Sequence, residues 1–111
     1  MSLTELIAKL NGTLVVDKPD AEINAVYTSD LLSDVMGHCG DESALITIQN
    51  HLNTIAVCTL VGVEVIVICH GRPVPDDMKA AAIREEVAIV TTPLSQFAAS
   101  VALAELAPAA R

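Results

Sequence analysis

Val65-Ile66-Val67-Ile68-Cys69 is apolar at every position. A strand with one wet face would alternate apolar and polar residues. A run without alternation belongs to a strand buried on both faces, as in the interior of a parallel sheet. The rest of the chain is best read outward from this run. Downstream, Asp76 to Glu86 reads as a helix, Ala88-Ile89-Val90-Thr91 as a strand, and Ser95 to Leu106 as a closing helix. Upstream, Ala44-Leu45-Ile46-Thr47-Ile48 is a strand and Asn53 to Val61 a helix. Apolar strands alternating with helices of this length predict right-handed strand–helix–strand units.

The first forty residues fit the same scheme less regularly. Thr4 can cap a helix with Leu6, Ile7 and Leu10 at helical spacing, and Asn11-Gly12 ends it. Leu14-Val15-Val16 is a short strand, and Lys18-Pro19-Asp20 a turn. Ile23, Ala25 and Tyr27 alternate with Asn24, Val26 and Thr28 as in a strand. Ser29 or Asp30 then caps a helix from Leu31 to His38, which Gly40 terminates. The expected fold is an α/β three-layer sandwich: one mostly parallel sheet of four to five strands, covered by helices on both faces.

Length and composition agree with a single domain over 1–111. The 111 residues are 52% hydrophobic, and Tyr27 and Phe97 are the only aromatics, so the core is built from aliphatic side chains. Fourteen acidic against six basic residues give a net charge of −8. Such a surface repels a phosphate backbone, and the chain has no platform of aromatic rings for base stacking, which argues against nucleic acid as a partner. Met1-Ser2-Leu3-Thr4-Glu5 lacks the basic start and apolar run of a secretory signal. The apolar stretch Ile55 to Cys69 is shorter than the roughly 20 residues a membrane span needs, and Glu64 interrupts it. Three cysteines without CxxC spacing fit reduced thiols, and a cytoplasmic location is expected.

In an open parallel sheet, ligands collect at the carboxyl ends of the strands, where helix N-termini present free N–H groups. Three polar loops should meet there, and their candidate ligand-binding residues are Thr47, Gln49, Asn50, His51 and Asn53, then His70, Gly71 and Arg72, then Thr92 and Ser95. An anion would gain from a helix dipole and from a charge-assisted hydrogen bond to Arg72. The same Asn, Ser and Thr residues also suit plain helix capping, and Gly71 a plain turn. His51, Cys69, His70 and the His38-Cys39 pair do not follow a zinc-ligand spacing, and no metal or cofactor is expected. Phosphate-loop, dinucleotide and nucleophile-elbow signatures are missing. A Cys69–His51 pair lacks an orienting acid in the sequence. Asp30 and Asp34, four apart on one helix face, read as a cap and a solvated residue before they read as an acid pair.

The order of segments resembles the DRTGG domain family. The resemblance rests on Ser29-Asp30-Leu31-Leu32-Ser33-Asp34-Val35-Met36, Leu45-Ile46-Thr47, Thr54-Ile55-Ala56-Val57, His70-Gly71-Arg72-Pro73 and Val90-Thr91-Thr92-Pro93-Leu94-Ser95-Gln96-Phe97. It runs from about Leu3 to Leu106 and includes similarity to the N-terminal domain of HPr kinase/phosphorylase. It implies an α/β/α sandwich, self-association, and a regulatory or ligand-sensing accessory role of the kind filled by small stand-alone bacterial members. Where the family's name motif would fall, this chain has Asn50-His51 and His70-Gly71, so its site chemistry departs from that of its relatives.

The resulting expectation is a non-enzymatic, homodimeric regulatory module, with a nucleotide or other small phosphorylated molecule as ligand. The dimer is suggested by the apolar, Ala-rich helix Ala98 to Leu106 and by the short chain, which cannot easily bury all its aliphatic surface alone. The alternatives are a pure protein–protein scaffold, for example a hydrogenase-associated or signalling accessory protein, and an enzyme acting on a phosphorylated metabolite.

Overall fold

The computed structural model of the protein describes residues 1–105, along which helices and strands follow one another as α1 (Leu3–Leu10), β1 (Thr13–Val16), β2 (Ala25–Thr28), α2 (Leu32–His38), β3 (Ser43–Thr47), α3 (Leu52–Val61), β4 (Val63–Ile68), α4 (Asp76–Glu85), β5 (Ala88–Thr91) and α5 (Gln96–Leu103). The strands form one sheet in the order β1-β5-β4-β3-β2. β2, β3, β4 and β5 are parallel neighbours in chain order, and β1 lies antiparallel along β5. The apolar run that decides the fold occupies the central strand. Val65, Val67 and Cys69 pack against α1 and α5, while Ile66 and Ile68 pack against α2, α3 and α4. The three-layer α/β/α sandwich expected from the sequence is therefore present, with five strands. Among the described residues no helix is long and apolar enough to cross a membrane.

Several boundaries differ from the sequence reading, each for a local reason. Ser2 rather than Thr4 caps α1. Its hydroxyl accepts from the Glu5 N–H at 3.2 Å, and the Glu5 carboxylate accepts from the Ser2 N–H. This reciprocal box satisfies two N–H groups at once. Asn11, at φ 49°, takes the left-handed position that ends α1, whereas Gly12 answers a need for space: a Cβ there would lie 2.8 Å from Val90 Cγ1. Neither Ser29 nor Asp30 caps α2, whose N-cap is Leu31 without a side-chain hydrogen bond. Ile23 is fully buried, yet it lies outside β2 and its N–H bonds to the Met1 carbonyl. β4 starts at Val63, two residues before the expected Val65, and it includes Glu64, whose carboxylate pairs with Lys18 on the β1–β2 connection. α5 ends at Leu103, and Leu106, the expected end, lies outside the described residues.

Because β2 to β5 follow in order, α2, α3 and α4 all fall on one face of the sheet. After β5 the chain crosses to the other face as α5. The loops leaving β4 and β5 thus diverge, which is where an open α/β sheet forms its crevice. Here two backbone hydrogen bonds tie them together, His70 N–H to the Leu94 carbonyl (2.9 Å) and Gly71 N–H to the Thr92 carbonyl (2.8 Å). His70 and Gly71 both adopt φ 59°, a left-handed turn that glycine takes without strain.

Candidate functional site

The strand-end residues fall into two groups, one turned inward and one outward. The inward group centres on Asp30. One oxygen of its carboxylate, Oδ1, accepts hydrogen bonds from the Thr47 hydroxyl (3.0 Å), the Ile48 N–H (2.9 Å) and the Gln96 side-chain amide (2.9 Å). The Asp30 carbonyl accepts from the Gln49 side-chain amide at 2.7 Å. Asp30 therefore joins the ends of β2 and β3 to the first turn of α5. Three donors on one carboxylate oxygen account for its departure from the expected capping role.

Thr47 and Gln49 are committed to this cluster, and the Thr47 hydroxyl also accepts from the Gln49 N–H at 3.1 Å. Thr92 is buried and donates to the Leu10 carbonyl at 2.6 Å, fixing the end of β5 to α1. Ser95 caps α5 by accepting from the Ala98 N–H. These four candidates hold the scaffold.

The outward group comprises His51, His70, Gly71 and Arg72, all exposed, with Asn50 as the link between their two loops. The Asn50 side-chain amide donates to the Pro73 carbonyl at 2.7 Å, and its oxygen lies 3.4 Å from a guanidinium nitrogen of Arg72. The next residue, His51, is the N-cap of α3 and makes no side-chain capping bond. A guanidinium is thus one hydrogen bond away from the start of a ten-residue helix whose first N–H groups have no side-chain cap. Asn53 stands apart, on the outer face of α3, where it lines a groove of about 440 Å³ between α3 and α4.

Cys69 sits beneath the same strand ends. Burial pushes its thiol up to about 11, and the nearby Asp30 charge acts in the same direction. A thiol held protonated at neutral pH is a poor nucleophile. Asp34 is not merely solvated: it accepts from the Tyr27 hydroxyl at 2.6 Å and lies 3.2 Å from His38 Nδ1, while Asp30 is engaged elsewhere. The two carboxylates therefore serve separate clusters. Among the described residues, no three His, Cys, Asp or Glu side chains gather as a metal site.

The sequence reading missed Asp30 and Gln96 as site residues. The rule that singled out the other three strand ends applies equally to Asp30, which follows the end of β2. Its resemblance to a helix cap hid it.

No known protein-family pattern matches the sequence, and no curated protein matches it. Among solved structures, the chain is similar to the CBS and DRTGG domains of the regulatory region of Clostridium perfringens pyrophosphatase, determined in complex with the activator diadenosine tetraphosphate. The TM-score is 0.72 at 15% identity, and the match covers 92% of this chain and 45% of that one. The fold is DRTGG-like. The chain thus spans less than half of that regulatory region, and what the two share is architecture.

Proposed function

We propose that this protein is a regulatory module that senses a small phosphorylated ligand of the nucleotide class at the carboxyl ends of β3 and β4. Arg72, carried on Asn50 beside the uncapped start of α3, is the observation that supports this reading most. A phosphate would meet a guanidinium and backbone donors, with His51 and His70 on the rim. Gly71 borders open space, where a Cβ would meet nothing within 4 Å. The role is non-enzymatic: the site contains a cation and hydrogen-bond donors, and the nearby thiol is protonated. That the similar pyrophosphatase region is regulatory and binds a nucleotide activator supports the choice of ligand class. The module self-associates as a homodimer and works in the cytoplasm.

Amide-resolved NMR with diadenosine tetraphosphate tests the reading. Shifts concentrated in residues 49–53 and 70–74 would support it. Titration to millimolar ligand without shifts there would refute it.

A further inference from the structure

A surface helix normally buries one apolar stripe and shows water a polar face, whereas a helix that is apolar all round belongs in an interior. α3 breaks this rule. Its sequence, LNTIAVCTLV, carries no charge, and no Asp, Glu, Lys or Arg occurs between Glu42 and Glu64. Thr54, Ile55 and Cys58 face the sheet. The opposite side is open, with Leu52 45% and Leu60 70% exposed, and Asn53, Ala56 and Thr59 exposed between them. The α4 residues that border this face are Ala81, Arg84 and Glu85, so the apolar surface is that of α3 itself.

The order of the exposed residues is symmetric about Ala56. Leu52 lies four residues before it and Leu60 four after; Asn53 lies three before and Thr59 three after. A two-fold axis through Ala56 would set α3 antiparallel to its copy. Leu52 would then meet Leu60 of the second chain, and the Asn53 amide would meet the Thr59 hydroxyl. An isologous contact requires this kind of self-complementarity. The small Ala56 at the crossing lets the helix axes approach to about 8 Å. Charge permits the same occupant: two molecules of net charge −8 repel over most of their surface, and α3 itself carries no charge at the contact.

From these observations we infer that the outer face of α3, centred on Ala56, is the surface through which a second copy of this chain binds. The inference rests on the self-association part of the proposed function and places the interface on the layer opposite α5. A groove of about 440 Å³ runs along this face, with Leu52, Asn53, Ala56 and Thr59 on one wall and Ala81, Arg84 and Glu85 on the other.

Analytical ultracentrifugation of the full chain at micromolar concentration tests this with three variants. Ala56→Glu, at an exposed position, places two like charges on the axis and weakens dimerisation by about 100-fold or more, with an unchanged melting midpoint for the monomer fold. Phe97→Glu, on the exposed face of α5, leaves the dimer intact. Ala56→Cys forms a reducible covalent dimer on mild oxidation, because antiparallel helices at this spacing bring paired Cα atoms within disulfide reach. A dimer that persists in Ala56→Glu, that dissociates only in Phe97→Glu, or that fails to cross-link through Ala56→Cys overturns the α3 surface and leaves self-association standing. A wild-type monomer overturns both.

Discussion

The side-chain amide of Gln96 donates to Asp30 Oδ1 at 2.9 Å, joining two residues 66 positions apart in the sequence. The same oxygen accepts from Thr47 and from the Ile48 N–H, so one carboxylate sets the relative positions of β2, β3 and α5. Replacing Asp30 with Ala leaves these donors without their acceptor. The expected cost is about 2 kcal/mol, since hydrogen bonds to a charged group are the stronger kind. Gln96→Ala removes one donor and keeps the acceptor satisfied by two others, for a cost of about 1 kcal/mol or less. Urea denaturation of both variants checks the order. Equal losses would show that Asp30 does not act as the hub.

Tyr27 supplies a spectroscopic test, because it is the only tyrosine and the chain has no tryptophan. Its hydroxyl donates to Asp34, and that hydrogen bond, with burial and the Asp34 charge, pushes its ionisation up to about 12. A phenol whose folded pKa is raised contributes stability that is full below the unfolded value and is lost as the pH climbs through the folded one. Phenolate absorbance should therefore show Tyr27 still largely un-ionised at about pH 11, where a free phenol is mostly ionised. Asp34→Asn moves the midpoint down towards the free value. At the acid end the same pair has the opposite sign: Asp34 is held below the usual carboxylate range by Tyr27, and its contribution is lost as the pH falls through that lowered pKa. A wild-type phenol that titrates like free tyrosine contradicts the Tyr27–Asp34 bond.

The apolar runs of β3, β4 and β5 are legible in the sequence because burial on both faces leaves no polar period. The open face of α3 is legible in principle, as a helix without charge, but only the structure shows which side the sheet covers. Asp30 is the clearest failure. In sequence it has the form of an N-cap followed by an apolar helix, and nothing local reveals that its acceptors serve Thr47, Ile48 and Gln96 instead. The loop candidates divide for a similar reason. A polar residue at a strand end can turn out to solvent, as His51 and Arg72 do, or in to the scaffold, as Thr47 does to Asp30 and Thr92 to the Leu10 carbonyl. Composition does not distinguish these choices, because both satisfy the same donors and acceptors.

Thiol chemistry gives an independent check on the packing. Cys39, Cys58 and Cys69 are all buried, and burial pushes Cys58 up to about 12 and Cys69 up to about 11. A large aromatic disulfide reagent at neutral pH should label Cys58 and Cys69 only after denaturant is added, with Cys39, at the C-terminus of α2, reacting first. Rapid labelling of Cys69 in the native protein would mean that the strand-end loops open far more readily than their hydrogen bonds allow.

The most direct test of ligand sensing is the melting midpoint of the full chain with and without diadenosine tetraphosphate or ATP at about 1 mM, compared with Arg72→Ala. Arg72 is exposed and its loss should leave the free protein's midpoint nearly unchanged. A ligand present at 100 times its dissociation constant adds roughly 2.7 kcal/mol, several degrees or more for a domain of this size. The account predicts that rise in the wild type and its loss in Arg72→Ala. A flat response to both nucleotides, or a rise that Arg72→Ala retains in full, would contradict it.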